Sequence, residues 1–82
     1  MASIRYKLSV PVQLNEGIGT TRDISTSGIF FETDSAHSIG DTIRLVLNFA
    51  HETLQCEARV VRVEPSNGRF GVAVELKSYV FC

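Results

Sequence analysis

Apolar residues recur at every second position through almost all of this chain, and no stretch of helical length carries a 3.6-residue period. Side chains on a strand alternate between its two faces, so such a chain buries its apolar set only by turning one face of each strand inward. In KLSVPVQL the apolar set is Leu8, Val10, Val12 and Leu14, and Pro11 on the opposite row predicts an edge position or a bulge. After an Asn15-Glu16-Gly17 turn, IGTTRDIS places Ile18, Thr20, Arg22 and Ile24 on one face and Gly19, Thr21, Asp23 and Ser25 on the other. GIFFET continues as a third strand, rich in residues that suit a pleated surface.

The polar segment from Asp34 to Gly40 reads as a loop before DTIRLVLNF, whose inner row is Ile43, Leu45, Leu47 and Phe49. A hairpin at Ala50-His51-Glu52 leads into TLQCEARVVRVE. There Leu54, Cys56, Ala58 and Val60 face inward, but the apolar row resumes with Val61 and Val63, a one-residue slip that a β-bulge explains. Pro65-Ser66-Asn67-Gly68 is a turn, and RFGVAVEL alternates through Phe70, Val72, Val74 and Leu76. Six short strands with one apolar face each predict an all-β fold, a small six-stranded antiparallel barrel, because closure removes the exposed edges of an open sheet. The tail KSYVFC is expected to cap one mouth as a helical turn or irregular segment, with little or no C-terminal helix.

The 82 residues form a single domain, 1–82. A domain of this size buries only about 60% of the surface its unfolded chain exposes, which leaves little stability for an elaborate active site. No catalytic residues are expected. His37 and His51 fall in loops without the spacing of metal ligands, and Ser25 beside Asp23 lacks a histidine partner for a hydrolase triad. No metal site is expected, since Cys56 sits in an apolar row as a small core residue and Cys82 reads as a free terminal thiol.

A net charge of −1 and the absence of tryptophan argue against DNA or RNA as partner, because nucleic-acid domains carry a basic excess and stacking aromatics. Arg44, Arg59, Arg62 and Arg69 alternate with Glu57, Glu64 and Glu75 and predict cross-strand pairing on a solvated face. With neither a bilayer-length apolar run nor a signal-peptide pattern, the chain is expected to be cytoplasmic and not membrane-inserted.

Asp23-Ile24-Ser25-Thr26-Ser27-Gly28 joins the second and third predicted strands. On this reading Asp23 and Ser25 point the same way and Gly28 permits positive φ and close ligand approach. A carboxylate can accept from a guanine edge and a hydroxyl can donate to an oxygen, but both side chains also suit hydrogen bonds to local turn backbone. Spacing leaves both readings open.

DISTSG between the second and third strands, an arginine before the first strand, and RFGVAVEL at the end resemble the PilZ family over nearly the whole chain. The resemblance implies a six-stranded barrel that binds cyclic di-GMP through an RxxxR motif and a [D/N]xSxxG motif. Asp23, Ser25 and Gly28 match the second motif. Arg5-Tyr6-Lys7-Leu8-Ser9 keeps the first arginine and carries Ser9 where the second is expected. Arg5 then reads either as a ligand contact or as a solvated terminal residue, and Lys7 as a point charge near Ser9. Losing one charge-assisted contact of about 1.5–3 kcal/mol weakens binding by about one to two orders of magnitude.

The implied function is a second-messenger receptor or adaptor, not an enzyme, with cyclic di-GMP as ligand and no other cofactor. Ordering of a flexible N-terminus is the expected switch, read by a protein partner in motility, pilus or exopolysaccharide control. The alternative is a degenerate PilZ-like interaction module without nucleotide, using Phe30, Val46 and Tyr79 as a docking patch.

Overall fold

The computed structural model describes residues 4–81; Cys82 therefore lies outside the described residues. Six strands follow one another: β1 (Pro11–Leu14), β2 (Gly17–Ile24), β3 (Gly28–Thr33), β4 (Thr42–Asn48), β5 (Thr53–Ser66) and β6 (Arg69–Phe81). They close into an antiparallel barrel in the order β1-β2-β3-β6-β5-β4. The inward rows meet in one core, in which Val12, Phe31, Leu45, Leu47, Ala58 and Val72 are at most 1% exposed. Cys56 belongs to this core, and burial pushes its thiol from 9.0 up to about 11, so it stays protonated at neutral pH.

Several features depart from the sequence reading. Pro11 sits on no free edge. It is the first residue of β1, where a missing N–H is tolerated inside a closed barrel. The tail is neither helical nor irregular, because β6 runs on to Phe81 and pairs Ser78 through Phe81 with Glu57 back to Leu54. The last turn is also tighter than expected. Pairing persists through Pro65 and Ser66, leaving Asn67 and Gly68 at φ 52° and 76°, the left-handed pair of a two-residue hairpin turn.

The expected β5 bulge is present between Val60 and Arg62. Its extra residue is Val61, which is 43% exposed, and the inward row resumes at Val63 alone. Phe70 likewise leaves its predicted inner row and is 39% exposed beside the hairpin tip.

A second bulge, between Thr21 and Asp23 on β2, changes the face of two residues. Thr21 is fully buried, Arg22 and Asp23 both turn outward, and Ile24 packs back against the core. The strict alternation expected for IGTTRDIS therefore fails between Arg22 and Asp23.

Candidate functional site

The outer face of the barrel holds a polar trough. Cross-strand register aligns Asp23, Phe30, Ala73 and Arg62 across β2, β3, β6 and β5, and the neighbouring row aligns Thr20, Glu32, Gly71 and Glu64. β6 contributes only Ala73 and Gly71 to these rows, so the larger side chains of its neighbours stand around a depression. The resulting cleft of ≈ 610 Å³ is lined by Lys7, Ser9, Arg22, Asp23, Phe30 and the Glu64–Asn67 end of β5 and its turn. That volume falls within the ~300–1,000 Å³ of small-molecule sites.

The segment before β1 forms one wall and is docked rather than free. Tyr6 and Ile24 exchange two backbone hydrogen bonds of 2.8 and 2.9 Å. The buried Thr21 hydroxyl donates to the Leu8 carbonyl at 2.6 Å and accepts from the Val10 amide at 2.9 Å. These bonds hold the expected flexible terminus against β2 from Tyr6 onward. Arg5, 56% exposed, forms a salt bridge to Asp23.

The opposite wall, Glu64 to Asn67, is tied to an anchored carboxylate, Glu32. Glu32 accepts from the Ser66 hydroxyl and from Asn67 Nδ2 at 3.1 Å, and lies 3.1 Å from the Arg22 guanidinium. The Ser66 hydrogen bond is the main force holding its carboxyl below the ordinary 4.5. Desolvation opposes this, and hydrogen bonds from Arg22 and Asn67 add to it. Phe30 lies in the cleft with Arg62 stacked over its ring at 5.8 Å.

The residues singled out in the sequence separate into two groups. Arg5, Lys7, Ser9 and Asp23 gather at this cleft, Arg5 through its pairing with Asp23. Ser25 and Gly28 do not. The Ser25 hydroxyl is 6% exposed and folded back into its own turn, accepting from the Gly28 amide at 3.1 Å and lying 3.2 Å from the Gly28 carbonyl. Ser25 lies past the end of β2 and folds into the turn, so Asp23 and Ser25 border different clefts. Ser25 lines an apolar mouth of ≈ 260 Å³ with Tyr6, Ile29, Leu54, Tyr79 and Phe81.

Gly28 does not adopt positive φ, contrary to the turn reading. A Cβ there would lie 2.7 Å from the Val74 carbonyl oxygen, so the glycine makes room for the β6 backbone. The proposed docking patch also divides. Phe30 lies in the polar cleft, whereas Val46 and Tyr79 border a separate groove across β4, β5 and β6.

Sequence reasoning missed Arg22, Glu32, Ser66 and Asn67. The Asn67-Gly68 pair was the available signal for the last two, since that dipeptide fixes a two-residue turn and hence what its tip presents. His37 and His51 lie in loops, and the described residues contain no group of three or more His, Cys, Asp or Glu side chains placed to hold a metal.

The sequence profile of the PilZ domain matches residues 2–80. This chain belongs to the PilZ family. PilZ domains are receptor and adaptor domains rather than enzymes. Among solved structures, the Bacillus subtilis inhibitor of motility MotI/DgrA superposes with a TM-score of 0.80 at 21% identity. The match covers 98% of this PilZ domain and 43% of the Bacillus chain, and at that identity it shows the shared barrel. Comparison with curated proteins gave no match. No helix among the described residues is long and apolar enough to cross a membrane.

Proposed function

We propose that this PilZ domain is a cytoplasmic receptor module, without catalysis of its own, that binds cyclic di-GMP in the cleft between the N-terminal segment and the β5–β6 tip. One observation carries the reading: Lys7 and Asp23, distant in sequence, line a single cleft of ligand size that also contains an aromatic ring, and Arg5 pairs with that Asp23. Asp23 accepts from a guanine edge, and Arg5, released from that carboxylate, turns to the ligand. Ser25 and Gly28 contribute by fixing the turn that carries Asp23. The switch is accordingly an exchange of partners at Arg5 on an already docked segment.

Ser9 in place of an arginine limits affinity, and a protein partner reads the bound state. The fold shared with a motility inhibitor makes motility the first pathway to assay. Titration calorimetry with cyclic di-GMP is expected to show saturable binding that Arg5→Ala and Asp23→Ala each weaken. Absence of heat at high micromolar nucleotide would sink the reading.

The alternative, a nucleotide-free interaction module, draws support from Tyr79, Val80 and Phe81, which are 52–61% exposed at the end of β6. A melting temperature indifferent to cyclic di-GMP, with discrete partner capture abolished by Tyr79→Ser, would favour it.

A further inference from the structure

The cleft contains a cation that the motifs do not supply. Strict alternation along β2 would send Arg22 away from Asp23, but the bulge between Thr21 and Asp23 puts both on the outer face, and both line the cleft with Lys7 and Ser9. We propose that Arg22 is the second anion-binding arginine of this cleft, supplying the guanidinium that Ser9 does not, and that it exchanges Glu32 for a phosphodiester oxygen of the bound nucleotide. This rests on the cyclic di-GMP reading above.

The exchange is feasible because the Arg22–Glu32 pair is asymmetric. Glu32 is 11% exposed and keeps its hydrogen bonds from Ser66 and Asn67 when the guanidinium departs, so no buried carboxylate is stranded. Arg22 is 50% exposed, and its planar fork can take two oxygens of a phosphate at once. The other arginines nearby, Arg5 paired with Asp23 and Arg62 3.6 Å from Glu64, do not line the cleft. Lys7 has no ion-pair partner among the described residues, but its ammonium offers a point charge and no fork. Of these, Arg22 alone combines fork geometry with a place in the cleft lining, and its partner stays satisfied without it.

The test is titration calorimetry with cyclic di-GMP on the wild-type chain, Asp23→Ala, Arg22→Ala, Arg22→Lys, Glu32→Gln, Ser9→Arg and the double variant Ser9→Arg/Arg22→Ala, each first checked for a cooperative melt. Arg22→Ala is expected to weaken binding by about tenfold to a hundredfold, the weight of one charge-assisted contact, with Arg22→Lys in between. Glu32→Gln frees the guanidinium while keeping an acceptor for Ser66 and Asn67, and tightens binding by up to about fivefold. Ser9→Arg in the Arg22→Ala background restores most of the loss and, made alone, gains clearly less in the wild-type chain, a non-additivity that a merely structural role for Arg22 would not produce. If wild type binds and Asp23→Ala weakens it while Arg22→Ala changes nothing, the proposal is overturned and the nucleotide reading stands. Loss in Arg22→Ala that Ser9→Arg leaves unrestored also overturns it. No binding by wild type overturns both.

Discussion

The six residues from Asp23 to Gly28 behave as two regions. The distal half is locked: the Ser25 hydroxyl caps its own turn, the Ser27 carbonyl accepts from the Leu76 amide at 3.0 Å, and Gly28 lies against the Val74 carbonyl. At the proximal end the side chain of Asp23 and that of its neighbour Arg22 are held by charges at the surface, Arg5 to Asp23 and Arg22 to Glu32, with three of the four side chains at least 27% exposed. A short motif can therefore mix residues that build a scaffold with residues free to exchange partners. Spacing alone does not tell them apart.

The sharpest way to break this division is at Gly28. Gly28→Ala drives a methyl into β6 backbone, and overpacking against atoms that cannot swing aside costs about 1–3 kcal/mol. Chemical denaturation should show that loss, with ligand affinity unchanged in the fraction that remains folded. Ser25→Ala comes next. It leaves the Gly28 amide without its side-chain acceptor, and a cost of about 1 kcal/mol corresponds to a fall in Tm of about 4–8 °C for a domain this size.

Asp23→Ala should invert the pattern. An exposed pair contributes little, so the melt moves by less than about 0.5 kcal/mol while cyclic di-GMP binding falls steeply. A destabilisation as large as that of Gly28→Ala would erase the distinction between the two halves.

The smallest effect belongs to acid. The folded state holds the Glu32 carboxyl below 4.5, so its contribution to stability is complete above that ordinary value and is lost as pH falls through the depressed one. Glu32→Gln should lower the neutral plateau of the stability–pH curve slightly and leave the acid end nearly unchanged, so that the acid limb flattens. Acid limbs that superpose in the two proteins would show that Ser66 and Arg22 do not stabilise the charged form.

Much of the barrel was legible because its inner rows are apolar, and a slip in an apolar row leaves a mark, as Val60-Val61 did. The β2 bulge left only an ambiguous mark: Ile18 and Ile24 share a row by parity, yet Ile18 is exposed and Ile24 packs against the core, and neither reports where between them the phase changes. The bulge accounts for Arg22 and Asp23 sharing a face, whereas Ser25 parts from Asp23 because it lies past the end of β2, in the turn. Gly28 failed for another reason, since what crowds it is a carbonyl some 46 positions further along the chain. The strand character of the tail was obscured similarly, because a second irregularity between Glu57 and Ala58 of β5 skips Lys77 on β6 and breaks the alternation just before Tyr79.

The barrel closes through Val12–Leu47 and Gln13–Val46, two residue pairs, whereas β4 and β5 share seven. β1 is also the direct continuation of the segment that carries Arg5, Lys7 and Ser9. A nucleotide that clamps this segment therefore suppresses local opening of the seam beyond it. Occupancy becomes readable as slower amide hydrogen exchange at Val12, Gln13, Val46 and Leu47, on the far side of the first strand from the ligand. A signal of this kind needs no hinge and no change of fold. Exchange at the seam that is the same with and without nucleotide would confine the ligand's influence to its own cleft.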